Sequence, residues 1–581
     1  MPKFIKYFTA VALVALMVLP ATTVFAVRFG DVAAVPRGFW AVLAPYTNAL
    51  DNNNSAAITA AGRGVINFWL DGRDAAQMAE YWGGDVTGYG FIINNIWSVS
   101  NMVARHYGYL GDGDGLRWAY TMAYTFLDAY QALTPHIGGN PDDMEFARTR
   151  IRNRLDGLNT HIAVFAEMAG DGGHTIYFGA LHEPAQGILF GEQVGNATVI
   201  SGMHRPSAVT IYVEFEIEDM RSRVLYDLNT NQHIHGINPE DYAIIQIAWN
   251  FLYEGATLAN VPGQEAMVRQ AARFLEELNL PILLRVGAEM DVWSNPANPQ
   301  EFIEAFRFIT KIMRQEAPNV AMVYSVNFIS AFGMDWQMFY PGDDYVDWVG
   351  ISLYTTRYFM GNPYTDDATA ALRRTGYHAN PLAFVHQLAE EFGDRKPLII
   401  TEGGVSLYNV QNGEDLTHWA MPVMRHIYSY IPLMFPQVKA MFWFNTHVAG
   451  ENQHFHFGSF PQARYLYSRL TAQPPFIPMG QTQSHISFAR LGCEETATMP
   501  ANAVVLLTYV PHLNLGDLLV EYRLNGDWLG SSRYAPHRRS FDLSHINDGG
   551  HVITVRAIND GNVLHTVDLM LNKNGGYITI R

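Results

Sequence analysis

The chain has 581 residues, a mass of 65.2 kDa, a formal charge of −17 and a pI near 5.6. That length exceeds what one compact core accommodates, so several domains are expected. The acidic balance, with no basic stripe to neutralise phosphates, excludes a nucleic-acid partner. The 13% aromatic share buries large areas and also supplies flat platforms for sugar rings.

The N-terminus reads MPKFIKYFTAVALVALMVLPATTVFAV. Lys3 and Lys6 precede an apolar run from Phe8 to Leu19, Pro20 ends it, and Ala26 closes a small-residue cleavage site. The run is too short to span a bilayer, so residues 1–26 read as a signal peptide. The mature chain is then expected to be a secreted, extracellular bacterial protein, free or associated with the cell surface, with no transmembrane segment after cleavage. Cys493 is the one cysteine. With no second thiol in the chain to pair with, stability must come from large cores.

Residues 36–168 carry apolar positions at helical spacing, as in AAITAAGRGVINFWL, with Ala104, Ala119 and Ala123 where helices approach. The region resembles tetratricopeptide helical hairpins. Within it GDGDG reads as a turn, because a calcium loop starting at Asp112 needs Glu at its twelfth position and Ala123 stands there. From 175 to 472, short apolar runs alternate with amphipathic helical stretches. The eight runs are GILFGE, AVTIYVEFE, AIIQIAWNF, PILLRVGAE, VAMVYSVN, VDWVGISLY, PLIITEGG and VKAMFWFN. Eight strands in such a span predict an α/β fold, a closed (β/α)₈ TIM barrel. Residues 473–483 form a Pro-rich linker. Residues 484–581 alternate like strands around turns such as Asn525-Gly526, which predicts a small Ig-like β-sandwich.

Reactive groups of such barrels collect at the C-terminal strand ends. Those ends carry Glu214 and Glu216 on strand two, Asn250 on three, and Arg285 and Glu289 on four. Asn327 lies on five, Tyr354 on six, Glu402 on seven, and Trp443 and Asn445 on eight. Glu289 and Glu402 have the cleanest strand-end context, and two glutamates across one cleft are what glycoside cleavage requires. Other reactive-looking groups read as structural. Glu183 in LHEPAQG precedes the first strand. His454 and His456 lack a third ligand and so read as loop or substrate-contact residues; neither a metal nor any other cofactor is expected. Glu214 and Glu216 read as partners of arginine.

The segment RVGAEMDVW resembles the Arg-x-x-His-Glu-Met-Asn motif of glycoside hydrolase family 26. VAMVYSVN, VDWVGISLY and KPLIITEGG are similar to that family's fifth, sixth and seventh strands. The resemblance covers about residues 175–472. It implies a retaining endo-β-glycosidase acting on mannan or another cell-wall glycan, with Glu289 as acid/base and Glu402 as nucleophile. It implies that Tyr354 holds the nucleophile by a hydrogen bond, that Arg285 keeps it ionised, and that Trp293 and Trp443 are sugar platforms. Ala288 stands where the family has His, and Asp291 where it has Asn. A donor from Asn250 or Asn327 is expected to compensate. The competing reading is an inactive carbohydrate-binding or surface scaffold, with cell-wall or protein contacts through the helical and Ig-like parts.

Overall fold

The computed structural model describes residues 39–70 except 53, positions 96, 99, 100, 102–104, 106, 107 and 110, then 112–133, 151, 162–170, 176–193, 205–250, 258–290, 298–327, 336–358, 382–446, 450–493, 495–511, 518–559 and 561–581. The chain divides into two compact units, the first ending its main run at Arg152. The signal-peptide segment lies outside the described residues.

The first unit is helical where described, with helices Phe39–Asp51, Ser55–Leu70 and Gly113–Leu133. Asp112 accepts a hydrogen bond from the amide of Gly115 at 2.8 Å. The acidic turn therefore caps the start of a helix, satisfying one of its free amides. The stretches 71–95 and 134–150 lie outside the described residues.

The second unit holds the barrel. Its eight parallel strands are Ile188–Gln193, Ala208–Val213, Ile244–Trp249, Ile282–Val286, Val320–Asn327, Trp348–Thr355, Leu398–Val405 and Val438–Trp443. They pair in sequence order, and the eighth closes on the first with Ala440 opposite Leu189. Each run predicted as a strand is one. All are apolar because they are covered on both faces.

Side chains stack inside the barrel in layers, and period-two alternation sets which ones face inward. Toward the N-terminal ends the interior is dry, with Leu189, Ala208, Ile244, Leu283, Val323, Trp348, Ile399, Ala440 and Phe442 in one cluster. Above it is a polar layer. Gln246 donates to the Thr210 hydroxyl and, at 2.7 Å, to the carbonyl of Thr401. The hydroxyls of Ser325 and Thr401 meet at 2.7 Å. Gly350 has no side chain because a Cβ there would lie 2.5 Å from Cγ2 of Thr401.

The LHEPAQG segment closes the N-terminal end. The indole of Trp348 donates to the Leu181 carbonyl at 2.9 Å, and His182 Nε2 lies 2.7 Å from the carbonyl of Asn319. Glu183 accepts from the amides of Phe178 and Ala180 and lies 3.9 Å from Lys439, at the start of strand eight. This is a structural plug, at the opposite end from the predicted site.

Two boundaries differ from the sequence reading. Residues 163–169, at the end of the region read as helical, form a strand of the C-terminal β-domain. That strand lies between Ile486–Leu491 and Val504–Tyr509, antiparallel to both. AVFAEMA has good helical propensity, and pairing on both edges overrides it. Nor is 473–483 a free linker, since Phe476–Ile477 pairs in parallel with barrel strand one and both residues are buried. The β-domain comprises a four-stranded and a six-stranded sheet, which share an apolar core that includes Val164, Ala166, Leu506, Tyr522 and Val555. Asn525 and Gly526 both have positive φ, 52° and 92°, as the two-residue hairpin turn requires.

Candidate active site

The C-terminal ends of strands four and seven bring Glu289 and Glu402 together. Strand four stops at Val286, and the chain then turns through Gly287 (φ 58°) and Glu289 (φ 56°). A glutamate in the left-handed region carries strain of about 1–3 kcal/mol, a feature that clusters at functional sites. The reason Glu402 faces inward lies in an irregularity of strand seven. Ile351 opposes Ile400, but Ser352 opposes Glu402. Thr401 is the extra residue of a β-bulge, so Thr401 and Glu402 both face the interior although they are adjacent in the chain.

Around Glu402 the polar groups converge. Arg285, fully buried, places Nη1 3.0 Å from Oε2 of Glu402 and donates through Nη2 to the Ser352 hydroxyl at 2.7 Å. Ser352 in turn donates to Oε1 of Glu402 at 3.3 Å, and the Tyr212 hydroxyl donates to Oε2. Asn327 Nδ2 donates to Oε1 of Glu289 at 2.9 Å. The two carboxyls are close enough for the charge of Glu402 to act on Glu289.

The electrostatics separate the pair. Burial, then the charge and hydrogen bond of Glu402, push Glu289 up to about 8, against the opposing pull of Arg285 and Ser352. Burial also pushes Glu402 upward. There the Arg285 guanidinium, with hydrogen bonds from Glu289, Tyr212 and Arg285, more than offsets it and holds the carboxyl below its ordinary value. Near neutral pH the site therefore contains a carboxylic acid beside a carboxylate, and neighbouring groups assign the proton to Glu289.

The remaining predicted residues divide. Tyr354 sits at the end of strand six, its ring 5.0 Å from that of Phe455 and 5.9 Å from that of Phe444. The hydroxyl that bonds Glu402 belongs to Tyr212 instead, which corrects the role implied for Tyr354. Tyr212 went unnoticed because tyrosine reads as an ordinary strand residue. The usable signal was register, since Thr210 and Tyr212 share a strand face. Asn250 makes a backbone hydrogen bond to Val213, and it is Asn327, not Asn250, that donates to Glu289. Trp443 is not a platform. It is 1% exposed, stacked on Phe457 at 4.8 Å, and faces outward because its neighbours Ala440 and Phe442 fill the interior. Asn445 is buried, donating to Glu192 at 2.8 Å and accepting from the amide of Phe457 at 2.9 Å.

His454 lies in a three-stranded cap sheet made by Tyr408–Asn409, Glu414–Asp415 and Gln453–His454, beyond strands seven and eight. Its ring stacks on Tyr408 with centroids 5.3 Å apart. Glu214 and Glu216 are exposed, and Glu216 occupies the N-cap position of helix Ile217–His235. Trp293 and Asp291 lie outside the described residues. Among the described residues no cluster of His, Cys, Asp and Glu is placed to hold a metal ion.

A closed parallel barrel with an acid and a carboxylate facing each other from strands four and seven defines the two-carboxylate glycoside hydrolase class of site. Within the barrel, residues 259–406 match the family model described as Glycosyl hydrolase family 26. That span includes Arg285, Glu289, Asn327, Ser352, Tyr354 and Glu402, and leaves out Tyr212. The chain is 29% identical over 182 residues to the beta-1,3-xylanase TXYA of a Vibrio species, covering 29% of this chain and 39% of that enzyme. Among solved structures, GH26C from Muricauda sp. MAR_2010_75 is 18% identical with a TM-score of 0.37, covering 51% of this chain and 88% of its own. A GH26 beta-mannanase from Bacteroides ovatus is 15% identical with a TM-score of 0.36, covering 52% and 92%.

Proposed function

We propose that this protein is an exported retaining endo-glycosidase that hydrolyses a β-linked polysaccharide. The observation that carries the reading is the pair of buried strand-end carboxyls, in which Arg285 and Tyr212 hold Glu402 as the anion while burial beside it keeps the proton on Glu289. An inverting mechanism needs about 6.5–9.5 Å between the carboxyl groups to admit a water, whereas double displacement uses about 5–5.5 Å. The mutual influence of the two buried carboxyls supports the closer arrangement.

In the proposed reaction Glu402 Oε attacks the anomeric carbon while Glu289 gives its proton to the departing glycosidic oxygen. The glycosyl–Glu402 ester is then cleaved by a water whose proton returns to Glu289. Arg285, Ser352 and Tyr212 hold Glu402 as an anion aimed at the anomeric carbon, and Asn327 fixes the direction of the Glu289 carboxyl. The relatives named above include a beta-1,3-xylanase and a beta-mannanase, so β-1,3-xylan and mannan lead the substrate panel, followed by β-1,4-xylan and mixed-linkage glucan. Export is supported by the N-terminal basic and apolar segments. The test is to incubate the mature protein with each polysaccharide and follow reducing ends and product anomer by NMR. Release of the β-anomer first supports retention. Release of the α-anomer, or no hydrolysis across the panel, overturns the proposal.

A further inference from the structure

Behind strand eight lies a buried carboxylate that the proposed reaction does not use. Glu192 lies one residue before the end of barrel strand one at Gln193 and faces outward, because Leu189 and Gly191 take the inward positions. It is 5% exposed and accepts from Asn445 Nδ2 at 2.8 Å. Its other oxygen, Oε1, is buried and meets no hydrogen-bond donor among the described residues. A half-satisfied carboxyl in a core is costly and calls for an explanation.

Asn445 points in two directions. While its amide holds Glu192, its Oδ1 accepts from the amide of Phe457 at 2.9 Å. Two residues before Phe457, the cap-sheet strand Gln453–His454 leads into Phe455, whose carbonyl accepts from the Trp443 indole at 2.9 Å and whose ring lies 5.0 Å from Tyr354. The segment 453–457 thus ties the cap sheet to the rim residue Tyr354. None of the groups that hold the catalytic pair (Arg285, Ser352, Tyr212 and Asn327) belongs to that segment.

We propose that Glu192 is a positioning residue: through Asn445 it fixes segment 453–457, and with it the wall of the substrate cleft built by His454, Phe455 and Tyr354. This deepens the glycosidase reading above and rests on it for its kinetic half. An asparagine with a single partner would be free to rotate about its terminal torsion. A buried carboxyl on its amide side fixes which end faces Phe457. The surroundings suit that task. The phenols of Tyr428, Tyr467 and Tyr242 lie near Glu192, no cation among the described residues faces it, and burial pushes its carboxyl up to about 7.

The test uses three variants of the full chain and two readouts. Glu192→Ala removes the acceptor, Asn445→Ala breaks the relay at its centre, and Glu192→Gln keeps an acceptor oxygen without the charge. Hydrogen exchange of the amides of 453–457 should speed up at least tenfold in both alanine variants and return to within about threefold of the parent in Glu192→Gln. Exchange of strand eight, 438–443, should not change. On the responsive polysaccharide, KM should rise at least fivefold in both alanine variants with kcat within twofold, and Glu192→Gln should restore KM. Unchanged exchange of 453–457 in Asn445→Ala overturns the proposal, as does an equal rise across the whole barrel or a fall in kcat with KM unmoved. If Glu192→Ala does not fold, the comparison of Asn445→Ala with Glu192→Gln decides alone. Because exchange needs no substrate, failure of the glycosidase reading would leave the positioning result standing.

Discussion

The Tyr212 hydroxyl donates to the same Glu402 oxygen, Oε2, that lies 3.0 Å from Nη1 of Arg285. A hydroxyl from strand two and a guanidinium from strand four thus converge on one oxygen and leave Oε1 to Ser352. In a dry site such fixed donors stabilise the carboxylate without reorganisation. Tyr212→Phe should therefore lower kcat at least tenfold, about 1.4 kcal/mol. Tyr354→Phe should act mainly on KM, since its hydroxyl is not the group bonded to Glu402. Steady-state kinetics of the two variants compares them directly, and a larger kcat loss in Tyr354→Phe would return the supporting role to strand six.

The same ion pair governs how Glu402 can be removed. Truncation to alanine strands the Arg285 guanidinium, which is 0% exposed. Breaking a buried pair from one side costs about 3–5 kcal/mol. Glu402→Ala should therefore unfold at markedly lower denaturant than the parent, and Glu402→Gln, which keeps an acceptor, should lose activity with a smaller loss of stability. Equal midpoints for Glu402→Ala and the parent would show that the pair contributes little.

The pH dependence follows from the opposite shifts of the two glutamates. Glu289 must hold its proton to act as acid, so kcat/KM should fall as pH rises through about 8. Glu402 must be ionised, so the acid limb lies below the ordinary carboxylate range. For stability the sign at Glu289 is that of a raised carboxyl. Between the unfolded value near 4.5 and the folded value near 8 the folded state binds more protons, so its stability falls as pH rises. Glu289→Gln removes that dependence. Its stability relative to the parent should grow by about 2–4 kcal/mol between pH 5 and pH 9, measured by urea unfolding. A difference that stays flat with pH would place the raised group elsewhere.

A chain ending near Gln473 should not behave as an independent barrel. Strand Ala163–Ala169 would lose both neighbours, Ile486–Leu491 and Val504–Tyr509, and the first barrel strand would lose Phe476–Ile477. Tyr430 on helix Thr417–Met434 would also lose Tyr509, whose ring is 4.8 Å away. Calorimetry of such a truncation should show a broadened or absent transition. A sharp transition at the parent's temperature would mean that the β-domain adds nothing to the barrel.

What was legible in the sequence was whatever depends on local pattern. The eight barrel strands read clearly because parallel strands covered on both faces are apolar throughout, and the placing of Glu289 and Glu402 at one end of the barrel followed from the same strand ends. Three things were not legible. The strand at 163–169 has its partners more than 300 residues away in the chain. The inward turn of Glu402 depends on a bulge opposite Ser352, which no composition announces. Trp443 looked like a platform until its register with Phe442 showed it facing the outer layer.

Ala288 leaves the position before the acid without a donor, and Asn327 supplies one from strand five at 2.9 Å from Oε1 of Glu289. A hydrogen bond to this carboxyl orients its proton toward the leaving oxygen, and it strengthens when the proton has left and the oxygen is charged. Asn327→Ala should therefore lower kcat more than tenfold, at least about 1.4 kcal/mol of transition-state stabilisation. Asn250→Ala should stay within threefold of the parent, since it is not the residue that donates to Glu289. The comparison is best made with two leaving groups. An activated aryl glycoside needs no proton from Glu289, so Asn327→Ala should be nearly as fast as the parent on it, and the loss should appear only on the polysaccharide. A loss of equal size on both substrates would assign Asn327 to binding or to the Glu402 step rather than to the acid.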